Sequence, residues 1–161
     1  MPIVVSDTSP LLNLARIGRL ELLRDLYQSV IIPPAVQREL SDETSDLPID
    51  VTSLSWISVI SPHNRSKVVE FAAGLDAGES EALTLAVEIG ANQLLVDEKA
   101  ARRVADALGI SYTGLLGVLL ESKRASLIGN VRSVMDELIE IAGFWVDADL
   151  YRRVLEIAGE G

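Results

Sequence analysis

Four acidic residues, Asp7, Glu39, Glu79 and Asp97, stand where a metal-assisted hydrolase would need them. Asp7 and Asp97 follow the short apolar runs Ile3-Val4-Val5 and Leu94-Leu95-Val96. Glu39 and Glu79 fall on the apolar side of segments that read as helices. A carboxylate among Val, Leu and Ala is costly to bury unless it meets a proton, a partner or a cation. Several carboxylates gathered in one place repel one another, and Mg²⁺ or Mn²⁺ is the usual remedy for an all-oxygen site. The chemistry open to such a site is attack of an activated water on a phosphodiester, with no side chain acting as nucleophile.

Each acid also has a plain structural alternative. Asp7 could be a helix N-cap, but Ser9-Pro10 reads as N-cap followed by proline at the first helical position, which leaves Asp7 without a structural task. Ser9 could both cap that helix and hold a metal-bound water. Asp97 could simply cap a helix starting at Glu98, and Glu98 could be a fifth acid of the site, although it reads more readily as a solvated first-turn residue favoured by the helix dipole. Glu79 begins a stripe continued by Ala82, Leu83 and Ala86, whereas Glu81 shares with Thr84 and Glu88 a face that reads as exposed. A capping box between Asp76 and Glu79 would account for Glu79 as well, and both roles can hold. Glu39 lies on the face of Ala35 and Val36, with Gln37 and Arg38 on the wet side; an exposed residue at a frayed helix end is its alternative.

The elements that must position these side chains alternate between strand-like and helix-like segments. Strands are expected at Ile3–Ser6, Val30–Ile32, Trp56–Ile60, Leu94–Val96 and Ile110–Thr113. Helices are expected from Ser9 to Gly18, near Leu20–Leu26, from Pro33-Pro34 through Leu40, over Ser66–Ala73, Ala77–Ile89 and Glu98–Leu108, and over Leu115–Ser122, Val131–Ala142 and Ala148–Ala158. Gly90 and Gly109 read as helix ends, and the acidic stretch from Ser41 to Asp50 reads as a loop. Strands separated by helices imply parallel pairing with helices on both faces of the sheet. In such sheets ligands collect beyond the carboxyl ends of the strands, where Asp7 and Asp97 would meet if their strands are neighbours.

The chain has 161 residues, 48% hydrophobic and 24% charged, which fits one domain with a substantial core. The last helices, within residues 130–161, are expected either to pack on the domain or to serve an interface. Cysteine is absent and His63 is the single histidine, which excludes thiolate and His-rich zinc sites. No stretch approaches membrane-spanning length and no signal segment is apparent, so a cytoplasmic location is expected. The net charge of −10 argues against binding nucleic acid through a globally basic surface, but not against an acidic cleft neutralised by cations. Lys99, Arg102 and Arg103 follow Asp97 and could hold a phosphate backbone near the acids, although a solvated helix face explains them too. Thr113-Gly114 could line the same cleft. Trp56 and Trp145 read as packing residues rather than base-stacking platforms, and His63 as a surface residue.

The ordered set Asp7-Thr8-Ser9, Pro34-Ala35-Val36-Gln37-Arg38-Glu39, Asp76-Ala77-Gly78-Glu79-Ser80-Glu81-Ala82 and Leu95-Val96-Asp97-Glu98 resembles the PIN-domain nucleases. The likeness is strongest to a VapC-like prokaryotic subfamily, through Gly78-Glu79-Ser80-Glu81-Ala82, Asp97-Glu98-Lys99-Ala100-Ala101-Arg102 and Thr113-Gly114-Leu115-Leu116-Gly117-Val118-Leu119. It runs from about Ile3 to Ile128. The resemblance implies a three-layer α/β/α fold with a central parallel sheet and cleavage of single-stranded RNA with Mg²⁺ or Mn²⁺. It carries the acidic quartet onto Asp7, Glu39, Glu79 and Asp97, with Ser9 as the small polar residue assisting the metal. It further implies a toxin held by a small antitoxin protein, and a homodimer. Thr113 stands where other members have a further acid, which bears on a second metal site.

Two rivals follow. A non-catalytic member of the same fold would bind RNA or a protein partner. Phosphoryl chemistry on an aspartate also places Asp after a first strand, but the phosphatase type expects a second Asp two residues on, where Ser9 stands.

Overall fold

β-Branched residues dominate the strands, and branching at Cβ favours the pleated, doubly covered environment of a central sheet. The computed structural model describes residues 2–161. Five strands, β1 (Val4–Ser6), β2 (Val30–Ile32), β3 (Ile57–Val59), β4 (Gln93–Leu95) and β5 (Tyr112–Thr113), form one sheet in the order β3-β2-β1-β4-β5. Every pairing is parallel. Among the described residues nine α-helices flank it: α1 (Thr8–Arg16), α2 (Glu21–Tyr27), α3 (Pro34–Ser41), α4 (Arg65–Phe71), α5 (Ala77–Ile89), α6 (Lys99–Leu108), α7 (Leu115–Arg124), α8 (Val131–Glu140) and α9 (Ala148–Ile157).

The two-residue period of a strand divides the core into two. Val4, Val30, Ile32 and Leu95 pack with α1, α2, α7, α8 and α9 on one face. Val5, Leu94 and Val96 pack with α5 and α6 on the other. The result is the three-layer α/β/α arrangement expected from the sequence. Helices α8 and α9 turn Val131, Val134, Met135, Leu138, Val154 and Leu155 into the larger cluster. Glu160 then fastens the last turn by accepting hydrogen bonds from Val131 N (2.7 Å), Arg132 N (3.0 Å) and Lys123 Nζ (2.9 Å). No helix among the described residues is long and apolar enough to cross a membrane.

Helix starts depart from expectation at two places that matter. Helix α1 begins at Thr8 with Asp7, not Ser9, in the N-cap position, and the Asp7 side chain makes no capping hydrogen bond. Pro10 thus lies in the first turn but not at its first residue; the early helical N–H groups have no intrahelical acceptor, so proline is tolerated there as well. Helix α6 begins at Lys99 with Glu98 at its cap position, so Asp97 does not cap it.

Candidate metal centre

Strands β1 and β4 are neighbours in register, with Ser6 opposite Leu95, and Asp7 N donates to Leu95 O at 3.0 Å. Asp7 and Asp97 therefore leave the carboxyl ends of two adjacent strands, the edge at which open parallel sheets bind ligands. Asp7 is 5% exposed. Burial pushes its carboxyl up to about 7; the Thr8 backbone N–H opposes the rise, while Asp76, Glu79 and Glu39 add to it.

Glu79 enters from the first turn of α5, where the capping box is complete. Asp76 Oδ1 accepts from Glu79 N at 2.8 Å and Glu79 Oε1 accepts from Asp76 N at 3.1 Å. The box therefore engages one oxygen of Glu79 and leaves the other outside it. Burial raises the Glu79 carboxyl, the Asp76 N–H opposes this, and Asp76, Glu98 and Glu39 raise it further. Glu39 is exposed at the end of α3, yet its tip reaches the same spot. A Cβ on Gly78 would stand 2.8 Å from Glu39 Oε1 and 3.2 Å from Asp7 Oδ1. Glycine at 78 is thus what lets two carboxylates from different elements crowd the amino end of α5, where the helix dipole favours negative charge.

These acids line a pocket of about 210 Å³ with Asp76, Glu98, Ser9, Asn13 and Arg16. The Ser9 hydroxyl accepts from Asn13 Nδ2 at 3.2 Å and does not cap α1. Asp97 belongs instead to an adjoining groove of about 890 Å³. Its Oδ1 accepts from Leu115 N at 3.0 Å and faces Arg102 Nη2 at 3.4 Å. Its Oδ2 is buried without a hydrogen-bond partner. Burial raises the Asp97 carboxyl, opposed by the Leu115 N–H and the Arg102 guanidinium, and Glu98 raises it again. Glu98 thereby acts electrostatically on both Glu79 and Asp97 and links the two parts.

The structure brings Asp7, Glu39 and Glu79 together, adds Asp76 and Glu98, and sets Asp97 beside them. The sequence marks Asp76 only as a cap, because its side chain serves the backbone of α5 while it also lines the pocket. Arg102 is engaged within the fold. Its Nε donates to Val96 O at 3.1 Å and its guanidinium lies 5.4 Å from the Tyr112 ring centre, so it orients Asp97. A Cβ at Gly114 would meet Arg102 Nη2 and Asp97 Oδ1, so the absence of a side chain there makes this arrangement possible.

Among the described residues, no three carboxylate or imidazole groups are close enough to enclose an ion as they stand. The donors nevertheless fit a hard divalent cation. They are all oxygen, they include the unpartnered buried Asp97 Oδ2, and Mg²⁺ is commonly held by one or two carboxylates with several waters retained.

No curated protein matches the chain. A family model, DUF3368, described as a PIN domain, matches residues 3–160. PIN domains are generally nucleases that use divalent cations, and the five-stranded parallel sheet with its flanking helices agrees with that fold. The chain therefore belongs to the PIN-domain family.

Proposed function

We propose that this protein is a Mg²⁺- or Mn²⁺-dependent endoribonuclease acting on single-stranded RNA. The observation that carries the reading is the crowding of Asp7 and Glu39 oxygens around Gly78, with Glu79 in the same pocket. Charge repulsion and burial make that grouping costly without a cation. Asp7, Glu39 and Glu79 would hold the metal, Asp97 would complete the set from the groove side, and Ser9 would orient a water at the rim.

When bound, the cation supplies the positive charge that activates a water and offsets charge on a scissile phosphate. The chain's own residues do the rest. Asp7 must be ionised to hold the cation; without one its carboxyl is pushed up to about 7, so cation binding near neutral pH would release its proton. Arg102 and the Leu115 N–H fix one oxygen of Asp97 and leave Oδ2 pointing away from hydrogen-bonding partners. The capping box fixes the rotamer of Glu79.

The VapC-like likeness of the Gly78–Ala82 and Asp97–Arg102 segments extends the proposal to a cytoplasmic toxin, restrained by a small antitoxin protein and working as a homodimer. Thr113 in place of a further acid favours one cation over two.

Titrating the purified protein with Mn²⁺ tests the reading. Binding to the folded state alone should raise the melting temperature, by about 2.7 kcal/mol of stability at one hundred times the dissociation constant. Unstructured RNA should be cut in the presence of Mn²⁺ and spared with EDTA. A flat melting temperature at millimolar Mn²⁺, with RNA intact, would assign the chain to the alternative, a non-catalytic module that binds RNA or protein.

A further inference from the structure

Trp145 is not the packing residue that the sequence suggests: it is 79% exposed, on the link between α8 and α9. An indole left in water is costly, and it stands on the wall of the groove that holds Asp97. The chain has seven aromatic residues, two Trp, three Tyr and two Phe. Tyr112, Phe144 and Trp145 all line this groove. The Tyr112 ring is covered by Arg102, and Phe144 packs against the core, which leaves the Trp145 face to solvent.

The same groove carries Arg16, Lys99 and Arg124 on its walls, in a chain whose net charge is −10. Arg16 pairs with Asp46 and Arg124 with Glu121, whereas Lys99 makes no ion pair among the described residues. Ser9, Asn13, Arg16 and Glu98 line both this groove and the acidic pocket, so the two open into each other. Asp97, Glu98, Glu121 and Asp147 also line the groove, so Lys99 is the cation there without an ion pair among the described residues; that ammonium, an aromatic platform and a path to the acidic pocket suit a flexible polyanion whose units have flat faces.

We infer that the groove between α7, α6 and the α8–α9 link is the track of a single RNA strand, with one unpaired base stacked on Trp145 and a phosphate held by Lys99. The inference rests on the nuclease reading and adds the strand's route. Duplex RNA keeps its bases stacked within the helix and offers none to Trp145. Trp145 lines the groove and not the pocket of Asp7, Glu39 and Glu79, so a strand that reaches both spans more than one nucleotide.

Intrinsic fluorescence of the intact protein in EDTA tests this, because the other tryptophan, Trp56, is buried. Short unstructured RNA should protect Trp145 from acrylamide quenching, and a duplex of the same length should not. Trp145→Ala should weaken single-strand binding about tenfold or more, with Trp145→Phe retaining most of it. Lys99→Ala should lower the slope of log affinity against log salt by roughly one. Both side chains are exposed, so melting temperatures should match the parent, and circular dichroism checks this.

Unchanged binding in Trp145→Ala, or equal protection by duplex, overturns the inference. If such a variant also cuts RNA with the parent's kcat and KM, the nuclease reading survives without it. If the parent protein binds single strands through Trp145 but never cuts them with Mn²⁺, the nuclease reading falls and with it the strand's route to a cleavage site. A parent dimer that Trp145→Ala converts to monomer, with Trp145 shielded before any RNA is added, assigns this face to a second copy and overturns the proposal.

Discussion

Replacing Asp7 with Asn is expected to abolish Mn²⁺-dependent RNA cleavage and, in the same molecule, to stabilise the metal-free fold. Loss of one anchoring carboxylate removes several kcal/mol of charge stabilisation, which corresponds to a rate lower by about 100-fold or more. The stability gain follows from proton linkage. The folded protein holds the Asp7 proton up to about pH 7, whereas the unfolded chain releases it near 3.8. Stability tied to this group is complete below the unfolded value and is lost as pH rises through about 7. In full, that displacement corresponds to at most about 4 kcal/mol. Local relaxation and water entry reduce it, and a gain on the order of 2 kcal/mol is expected for Asp7→Asn at about pH 8. The gain should grow between about pH 4 and pH 8 and level off above. Urea denaturation in EDTA at several pH values, beside an RNA cleavage assay, measures both. A variant that cuts RNA at the parent rate removes Asp7 from the site. A variant that is inactive but no more stable at high pH leaves the site and removes the account of its electrostatic cost.

The second large effect falls on Glu81, on a face of α5 that the sequence alone reads as exposed. It is 4% exposed. Its Oε1 accepts from Ala35 N at 2.9 Å and its Oε2 meets Arg65 Nη1 at 3.0 Å. Helix α3 starts after Pro33, which offers no capping side chain, so a residue of α5 caps it. Glu81→Ala leaves the Ala35 N–H buried without a partner and strands a helix that carries Glu39. A loss of about 3 kcal/mol is expected, or a melting temperature lower by roughly 6–12 °C. Glu81→Gln keeps an acceptor for Ala35 and should recover more than half of that loss. Thermal melts of the two variants decide it; an Ala variant within about 1 kcal/mol of the parent would make the contact incidental.

Strand positions, parallel pairing and the three layers were legible because short β-branched runs alternate with longer periodic ones, and only a few topologies satisfy that order. The misreadings have particular causes. Ser9-Pro10 resembles a cap and first residue, but proline is tolerated throughout the first turn, so it marks a helix start only to within a few positions. Glu81 was misplaced because a one-faced stripe was assumed for α5. That helix is packed by α3, α4, α6 and the sheet, and every residue from Gly78 to Ala86 is buried. Periodicity carries no information on a helix covered all round. The acids were visible singly, but the meeting of Asp7 and Glu39 over Gly78 depends on how α3 and α5 cross, which no local pattern encodes. Trp145 sits in a short link with no period to read.

Soaking crystals in Mn²⁺ and recording anomalous scattering at the manganese edge tests the metal-centre proposal most directly. The account predicts a peak bounded by the carboxylates of Asp7, Glu39 and Glu79, on the side facing Asp97. No peak there at millimolar Mn²⁺, or manganese bound only at other surfaces, would contradict it.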